Sequence, residues 1–241
     1  MVAISSSKIT ACVFGASGGI GSAFVARLAD DPSVRMIHAG ARKAPPATGK
    51  ISPFAFDLQD EATIEAAAKT IGPIDLTIVA TGMLHQGAIQ PEKSLRALST
   101  DAFEQAFAIN TIGPALIGKH MLPHLPKDRR SVFAVLSARV GSISDNRLGG
   151  WHAYRASKAA LNMTVRNFAI EMARTHPQAI IVALHPGTVD TALSQPFQRG
   201  VAPVKLFTAD YAAERMLQVL GELTPEDSGH LFAWDGARIP F

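Results

Sequence analysis

The sequence predicts an α/β protein: one doubly wound domain in which helices cover both faces of a parallel sheet of about seven strands. Three observations lead to this prediction. Short apolar runs recur along the 241 residues, longer segments of helical periodicity separate most of them, and the composition is globular, with 47% hydrophobic and 18% charged residues. Strands that alternate with helices favour a parallel sheet buried on both faces.

The seven predicted strands are the short apolar runs. They cover residues 8–14, 35–40, 51–56, 75–81, 131–137, 179–185 and 230–234. One connection departs from the alternation, because the prolines of APPATG exclude a full helix between the second and third strands. We expect this crossover to be a bare loop.

Five segments have the periodicity and length of helices. They cover residues 19–30, 60–71, 100–124, 152–176 and 208–221. The second begins with the acidic stretch QDEATIEAAAKTI, which suits the positive end of a helix dipole. STDAF at 99–103 offers an N-terminal cap to the third. No repeat or linker divides the chain, so we predict a single domain over residues 1–241.

Composition and charge exclude several classes of protein. The net charge is +3, and the only basic cluster, KDRR at 127–130, is too short to indicate nucleic-acid binding. No apolar stretch approaches the roughly 18 residues of a membrane span, and the N-terminus lacks the charged start of a signal peptide. A single cysteine, Cys12, suits a reducing compartment. The eight histidines show no metal-ligand spacing. We therefore expect a cytoplasmic protein with no metal site and no membrane or nucleic-acid partner.

A glycine-rich stretch, VFGASGGIGSAF, follows the first predicted strand and opens the first helix. Gly15, Gly19 and Gly21 let the backbone approach a pyrophosphate, and the helix N-terminus supplies N–H donors. Turns use glycine in any case, but the position between a first strand and a first helix favours dinucleotide binding.

The end of the second strand indicates which dinucleotide is bound. An NAD site would place a carboxylate there, whereas HAGARKAPP contains none and offers Arg42. A guanidinium can bind a 2′-phosphate with paired hydrogen bonds, so NADP(H) is preferred over NAD, although Arg42 could also be a solvated loop residue. Ser17 could bind the same phosphate. Asp57 either accepts from the adenine amino group or caps the next helix, and both alternatives stay open.

Tyr154 and Lys158 stand four residues apart in the predicted helix over 152–176. Residues at this spacing share a helix face, so the phenol and the ammonium can point at the same place. Such a pair is usually an ordinary helix surface. Only the other motifs in the chain favour a catalytic role for Tyr154 and Lys158.

Taken together and in order, the motifs resemble the short-chain dehydrogenase/reductase family over nearly the whole chain, in its C-factor-like, carbonyl-reductase-like branch. The resemblance rests on GASGGIG, on Asn110-Thr-Ile-Gly113, on a serine that ends the fifth strand, on Tyr154-Arg-Ala-Ser-Lys158 and on Pro186-Gly-Thr-Val-Asp-Thr191. It implies a Rossmann-type sheet and hydride transfer between a nicotinamide and an alcohol or carbonyl.

The resemblance also implies roles for individual residues. Tyr154 would be the general acid in reduction, Lys158 would hold the nicotinamide ribose, and Ser137 would orient the substrate oxygen. Asn110 would anchor a water linked to Lys158, or would simply cap or kink its helix, and Thr191 would hold the carboxamide. The implied cofactor site comprises Gly15, Ser17, Gly19, Ile20, Gly21, Arg42, Asp57, Leu58, Ala80, Thr81, Gly82, Tyr154, Lys158, Pro186, Gly187, Val189 and Thr191.

The physical account of the Tyr154–Lys158 pair follows from this resemblance. A tyrosine with its ordinary pKa near 10 releases a proton reluctantly. A nearby ammonium and the positive ring of an oxidised nicotinamide favour the phenolate and lower that pKa. Bringing it to about 7 requires roughly 4 kcal/mol of charge stabilisation, which close charges in a partly desolvated cleft can supply.

Two positions depart from the family in ways that affect local hydrogen bonds. Phe14 stands where the family usually has threonine, and Ala80-Thr81-Gly82 replaces the usual Asn-Ala-Gly. We expect each departure to remove a hydrogen bond near the sheet without removing the cofactor.

A third departure concerns the serine. The family reads Ser-x-x-Gly where this chain reads Ser137-Ala-Arg-Val-Gly141. Aligned from the glycine, Ala138 takes the catalytic position, and aligned from the strand, Ser137 does. We follow the strand, because its register fixes where a side chain points. Ser142 and Ser144 are weaker candidates.

These features predict an NADP(H)-dependent oxidoreductase that acts on a small carbonyl or alcohol. The alternative is a low-turnover, NADP-binding signalling or regulatory protein on the same fold. Trp151, Leu193 and Phe197 indicate an apolar or aromatic substrate, or else belong to the core. The loop around 192–205 is the predicted substrate loop and lid. By the resemblance, the helices over 100–124 and 152–176 could pair across a two-fold in a homodimer or homotetramer.

Overall fold

The predicted strands and helices are present in a computed structural model that describes residues 8–44, 46–200 and 202–241. Three predictions fall partly outside these residues. They are the absence of a signal peptide in the N-terminal stretch, the crossover loop at position 45, and the substrate loop at position 201. Across the described ranges, no helix is long and apolar enough to cross a membrane.

Eight strands form the main sheet. The strands of the described residues are β1 (Ile9–Phe14), β2 (Val34–Ala41), β3 (Ile51–Ala55), β4 (Leu76–Val79), β5 (Ser131–Leu136), β6 (Ala179–His185), β7 (Thr188–Val189), β8 (Leu206–Phe207), β9 (Leu231–Ala233) and β10 (Arg238–Ile239). The main sheet has the order β10-β9-β6-β5-β4-β1-β2-β3, and β7 and β8 form a separate pair. The seven predicted strands are confirmed and run parallel. The short β10 adds an antiparallel edge that the sequence pattern did not indicate.

The central strands are buried on both faces. Every residue of β1, β4 and β5 is buried, which agrees with their continuous apolar sequences. The helices are α1 (Gly19–Asp30), α2 (Glu61–Ile71), α3 (Thr100–Phe107), α4 (Gly113–Met121), α5 (His152–Met172) and α6 (Ala209–Glu222). Residues of α1 and α6 share one core cluster, and residues of α2, α4 and α5 share a second on the other face.

The helix predicted over 100–124 is divided. Ser99 caps α3 by accepting from the Ala102 N–H, as predicted, but a π turn at Ala108–Ile112 separates α3 from α4. Pro114 has no N–H to donate to the carbonyl four residues earlier, and this favours a break in the ladder just before it. The end predicted for the helix over 152–176 was also wrong, since α5 stops at Met172 and a turn follows.

Of the other local predictions, the bare crossover loop is confirmed in the described residues, and the pairing of helices is not tested. The crossover from β2 to β3 contains no helix in residues 42–44 and 46–50. Pairing of the long helices across a two-fold stays a prediction, and Ile112, Met163 and Ile170 are large apolar residues exposed on or beside those helices.

Candidate active site and nucleotide cleft

A cleft of about 550 Å³ opens at the carboxyl edge of the sheet. It lies where the strand order reverses, between β1 and β4, which is where open parallel sheets bind ligands. Its lining comprises Gly15, Ser17, Gly18, Ala41, Arg42, Phe56, Asp57, Leu58, Gln59, Ala80, Thr81, Gly82, Met83, Leu84, His85, Gln86, Ile109, Ala192 and Leu193.

The glycine loop forms one wall of the cleft. Gly15 has φ +89°, in the left-handed region that favours glycine. A Cβ on Gly21 would lie 2.1 Å from the Gly15 carbonyl oxygen, so no larger residue fits there. Ser17 and Gly18 line the cleft just before α1, and the N-terminal end of that helix therefore faces it.

Arg42 and Asp57 lie at the other end of the same wall, beyond β2 and β3. Arg42 is exposed and shares the cleft lining with Ser17. Of the two alternatives for Asp57, the helix cap is wrong: Asp60 caps α2, while the Asp57 carboxylate accepts from the Gln59 N–H at 3.0 Å. Leu58 packs against Gly113, where a Cβ would lie 2.5 Å from the leucine Cδ2.

Of the two departures near the sheet, packing compensates the one at Phe14. The Phe14 ring is fully buried and meets Phe54 and Phe56 edge-on, at 5.3 and 5.0 Å between centroids. Ala80 keeps only its backbone bond, donating its N–H to the Phe14 carbonyl. The neighbouring Thr81 Oγ1 is buried and has no partner among the described residues.

Asn110 sits in the π turn and is fully buried. Its Oδ1 accepts from the Met83 N–H at 2.8 Å, and its Nδ2 donates to the Met83 carbonyl and to Ser157 Oγ. This side chain therefore joins the segment after β4 to α5. A Cβ on Gly82 would lie 3.5 Å from Asn110 Oδ1 and 3.7 Å from Lys158 Nζ, so the two side chains meet beside Gly82.

Tyr154 and Lys158 occupy the first two turns of α5. Lys158 is 3% exposed and donates to the Leu136 carbonyl at 2.9 Å, with its Nζ 5.9 Å from the Tyr154 ring centroid. Burial lowers the pKa of Lys158 to about 7 and raises the pKa of Tyr154 to about 12. In the protein alone the phenol is therefore protonated at neutral pH, and the lowering of its pKa beside a charged nicotinamide stays a prediction.

Ser137 is buried and lies outside the cleft lining, so its assignment to the substrate oxygen needs correction. Its position just beyond β5 is as expected, since its N–H donates to the Leu184 carbonyl. However, its hydroxyl is buried and donates to Asn162 Oδ1 at 2.7 Å. Asn162 follows Tyr154 by eight residues, or about 12 Å along the helix axis. The hydroxyl thus joins β5 to α5 about two helical turns beyond Tyr154 in the chain.

The weaker serine candidates are also engaged elsewhere. Ser142 Oγ accepts from the Asp145 N–H, and Ser144 Oγ donates to the Phe241 carbonyl. The half-exposed Ala138 is the residue that follows Ser137 at this edge of the sheet.

The Pro186–Thr191 stretch closes the cleft against the glycine loop. Gly187 has φ +79°, directly after β6, and Val189 is buried in β7. A Cβ on Gly19 would lie 2.7 Å from Thr191 Cγ2, so these two segments touch. Ile20 packs against the core beneath them.

Aromatic rings extend from Tyr154 across the mouth of the cleft. Trp151 lies 6.3 Å from Tyr154 and 5.3 Å from Phe197, and Phe197 lies 5.7 Å from His85, between ring centroids. His85 Nε2 is also 3.2 Å from the Ala192 carbonyl oxygen. Trp151 and Phe197 are half-buried at this rim and are not core residues. Sequence reasoning missed His85, because its partners lie more than 100 residues away in the chain.

Comparison with known proteins agrees with this architecture. The model of the short chain dehydrogenase family matches residues 9–202. C-signal from Myxococcus xanthus is 36% identical over 138 residues, which cover 57% of this chain and 77% of that protein. The 1-hydroxy-2-glutathionyl-2-methyl-3-butene dehydrogenase of Rhodococcus sp. (strain AD45) is 29% identical over 233 residues, covering 95% of this chain and 98% of that protein.

Two solved structures share the fold across almost the whole chain. The NADPH-bound carbonyl reductase from chicken fatty liver is 25% identical, with a TM-score of 0.81 over 98% of this chain and 100% of the other. The carbonyl reductase Sniffer of D. melanogaster is 19% identical, with a TM-score of 0.82 over the same shares, and supports the fold alone. Because the family match spans most of the chain, the protein belongs to the short chain dehydrogenase family of NAD(P)-dependent oxidoreductases, in the branch that resembles C-signal and the carbonyl reductases.

Proposed function

We propose that the chain is an NADP(H)-dependent reductase of a small carbonyl compound, with Tyr154 as the general acid. The observation that carries the proposal is the continuity of one cleft. It begins between the glycine loop and Arg42 and reaches Met83 and Leu84, which also border Tyr154. A nucleotide held at the glycine loop would therefore extend towards Met83 and Leu84, which the cleft shares with the small cavity lined by Tyr154.

The residues present fit this cofactor. Gly15 and Gly21 leave the backbone open to close approach by phosphate, and the buried Thr81 Oγ1 lacks a partner among the described residues. At the ribose end, Arg42 is exposed and free of competing carboxylates in residues 38–46. NADPH bound to the related chicken carbonyl reductase supports the same choice.

When bound, the nicotinamide supplies the hydride, and the chain's own residues supply the proton. Tyr154 donates its hydroxyl proton to the substrate oxygen; burial raises the pKa of Tyr154 to about 12, so the phenol carries this proton before the reaction. Burial lowers the pKa of Lys158 to about 7, and its Nζ can hold the ribose hydroxyls by donating hydrogen bonds to them. Asn110 fixes the segment beside both groups.

The rim favours an apolar or aromatic carbonyl. The Trp151 ring lies beside Tyr154, and Phe197 and His85 continue the row of rings along the rim, whereas Leu193 adds an apolar surface inside the cleft. The loop 192–205 carries Phe197 and would cover the substrate as a lid.

The direct test is oxidation of NADPH and of NADH by the purified protein against a panel of aldehydes, quinones and diketones. We expect turnover with NADPH that exceeds turnover with NADH. Binding titrations of each cofactor accompany the assay. Failure to bind either cofactor would overturn the proposal.

A second candidate is a low-turnover, NADP-binding regulatory protein. The serine contacts favour it, because the Ser137 and Ser144 hydroxyls donate to Asn162 and Phe241, and Ser142 Oγ accepts from the Asp145 N–H. Tight NADPH binding without turnover across the panel would favour this candidate.

A further inference from the structure

A buried carboxylate lies at the start of α5, outside the residues assigned so far. Glu92 is 4% exposed, and no cation of the described residues pairs with it. Burying a carboxylate without a cation is costly, so its hydrogen-bond partners must compensate. Both of its oxygens lie 3.3 Å from the Ala153 N–H, one residue before Tyr154.

The helix has no N-terminal cap of its own. Its N-cap residue, Trp151, makes no side-chain cap bond and has φ +50°, the only positive φ at a non-glycine among the described residues. No acidic residue lies in the first turn of α5. Glu92 therefore supplies, from a segment 61 residues earlier, the acceptor that local sequence usually provides.

The main chain of Glu92 holds the same turn. Its carbonyl oxygen accepts from the Trp151 N–H at 2.6 Å. Gly150, with φ +67°, lies directly beside that oxygen, since a Cβ there would be 3.5 Å away. Glu92 thus holds the left-handed entry into α5 through its carbonyl and the Ala153 N–H of the first turn through its carboxylate.

The segment that carries Glu92 follows a hydrogen-bonded turn and borders the site. Gln86 and Ile89 exchange two backbone hydrogen bonds, which close the turn before Glu92. Glu92 and Tyr154 line one small cavity, together with Met83 and Leu84 of the cleft wall. A shift of Glu92 would therefore be transmitted to the wall and to the phenol.

We infer that Glu92 is a positioning residue for Tyr154: its carboxylate and carbonyl clamp the first turn of α5 and set Trp151 and Tyr154 against the cleft. The inference rests on the proposed function. Misplacing a reacting group by about 1 Å can cost a hundredfold in rate, whereas cofactor binding at the glycine loop does not depend on this clamp.

The test compares Glu92→Met with Glu92→Gln, which keep the length of the side chain. Methionine removes the acceptor, and we expect kcat to fall by about tenfold to a hundredfold, with a raised KM for the carbonyl substrate and an unchanged Kd for NADPH. Glutamine keeps one acceptor oxygen, so kcat should stay within about threefold of the unmodified protein. Thr208→Ala is the matched control, because Thr208 caps α6, a helix with no site residue. It should lower Tm and leave kcat unchanged.

Three results would overturn the inference: a Glu92→Met protein with unchanged kcat and KM, a Glu92→Gln protein as impaired as Glu92→Met, or rapid hydrogen exchange of the Ala153 amide in the unmodified protein. The exchange measurement needs no variant, so it decides the matter if Glu92→Met does not fold. Absence of turnover in the unmodified protein would instead count against the proposed function, and the exchange result would still stand.

Discussion

At the phosphate end of the cleft, the glycine loop takes its members from seven consecutive residues, Gly15 to Gly21, and works through backbone groups. At the reacting end, Asn110, Tyr154 and Phe197 come from three distant segments and work through side chains. The first kind of site depends on local spacing. The second kind of site depends on how helices, strands and loops pack. A shift of one residue along the chain changes which side chain faces such a site, and so changes its chemistry.

The largest effect is expected at the reacting end. Tyr154→Phe removes the proton donor, so kcat should fall by about 10²- to 10⁴-fold while the Kd for NADPH is unchanged. Steady-state kinetics and a fluorescence titration of NADPH measure the two quantities. Lys158→Ala should impair both, because Lys158 is assigned to the ribose as well. A Tyr154→Phe protein with full activity would contradict the mechanism.

The phosphate end should respond through binding. Gly21→Ala places a methyl 2.1 Å from the Gly15 carbonyl oxygen, which forces the loop to move. We expect NADPH affinity to weaken by about a hundredfold, the effect of roughly 3 kcal/mol of strain. Gly18→Ala is the control, since its Cβ would meet nothing closer than 3.4 Å. Equal losses in both variants would show that the close approach is not the cause.

Cofactor choice should follow Arg42. Arg42→Asp replaces a guanidinium by a carboxylate that repels the 2′-phosphate, and the Kd ratio of NADH to NADPH should fall by about tenfold to a hundredfold. Lys43→Asp is the neighbouring control, because Lys43 does not line the cleft. If both changes shift the ratio equally, the basic charge of the loop decides the preference and Arg42 has no specific role.

The smallest catalytic effect is expected at Ser137. Ser137→Ala leaves Asn162 Oδ1 without its donor, so the free energy of unfolding should fall by about 1–2 kcal/mol while kcat changes by less than about twofold. Denaturant unfolding and steady-state kinetics measure both quantities. A loss of kcat comparable to that of Tyr154→Phe would return Ser137 to the catalytic group.

Several features could be predicted from the sequence because they depend on neighbours in the chain. The seven parallel strands followed from apolar runs buried on both faces, and the Ser99 cap from its position before a periodic segment. The break in the helix at Ala108–Ile112 was harder to predict from the sequence. Pro114 marks the place, but the π turn also depends on Asn110 binding the backbone of Met83.

Ser137 shows what strand register alone cannot predict, namely the hydrogen-bond partner of a side chain. Strand register placed Ser137 correctly at the end of β5, yet register gives only the face of the sheet to which a side chain points. Its partner, Asn162, belongs to a helix whose height over the sheet is set by close packing, such as Gly141 against Lys158, where a Cβ would lie 2.7 Å from the lysine Cβ. That packing brings Asn162 within hydrogen-bond distance of the Ser137 hydroxyl.

By itself, the sequence determined the parallel sheet, the glycine turn, the absence of a carboxylate after β2 and the shared face of Tyr154 and Lys158, because each follows from spacing within one or two adjacent elements. The tertiary structure decided which hydroxyls reach the cleft, that burial gives Lys158 a pKa of about 7, and that Glu92 caps α5. These properties arise from contacts between residues far apart in the chain, and desolvation and hydrogen bonding act only once those residues are packed together.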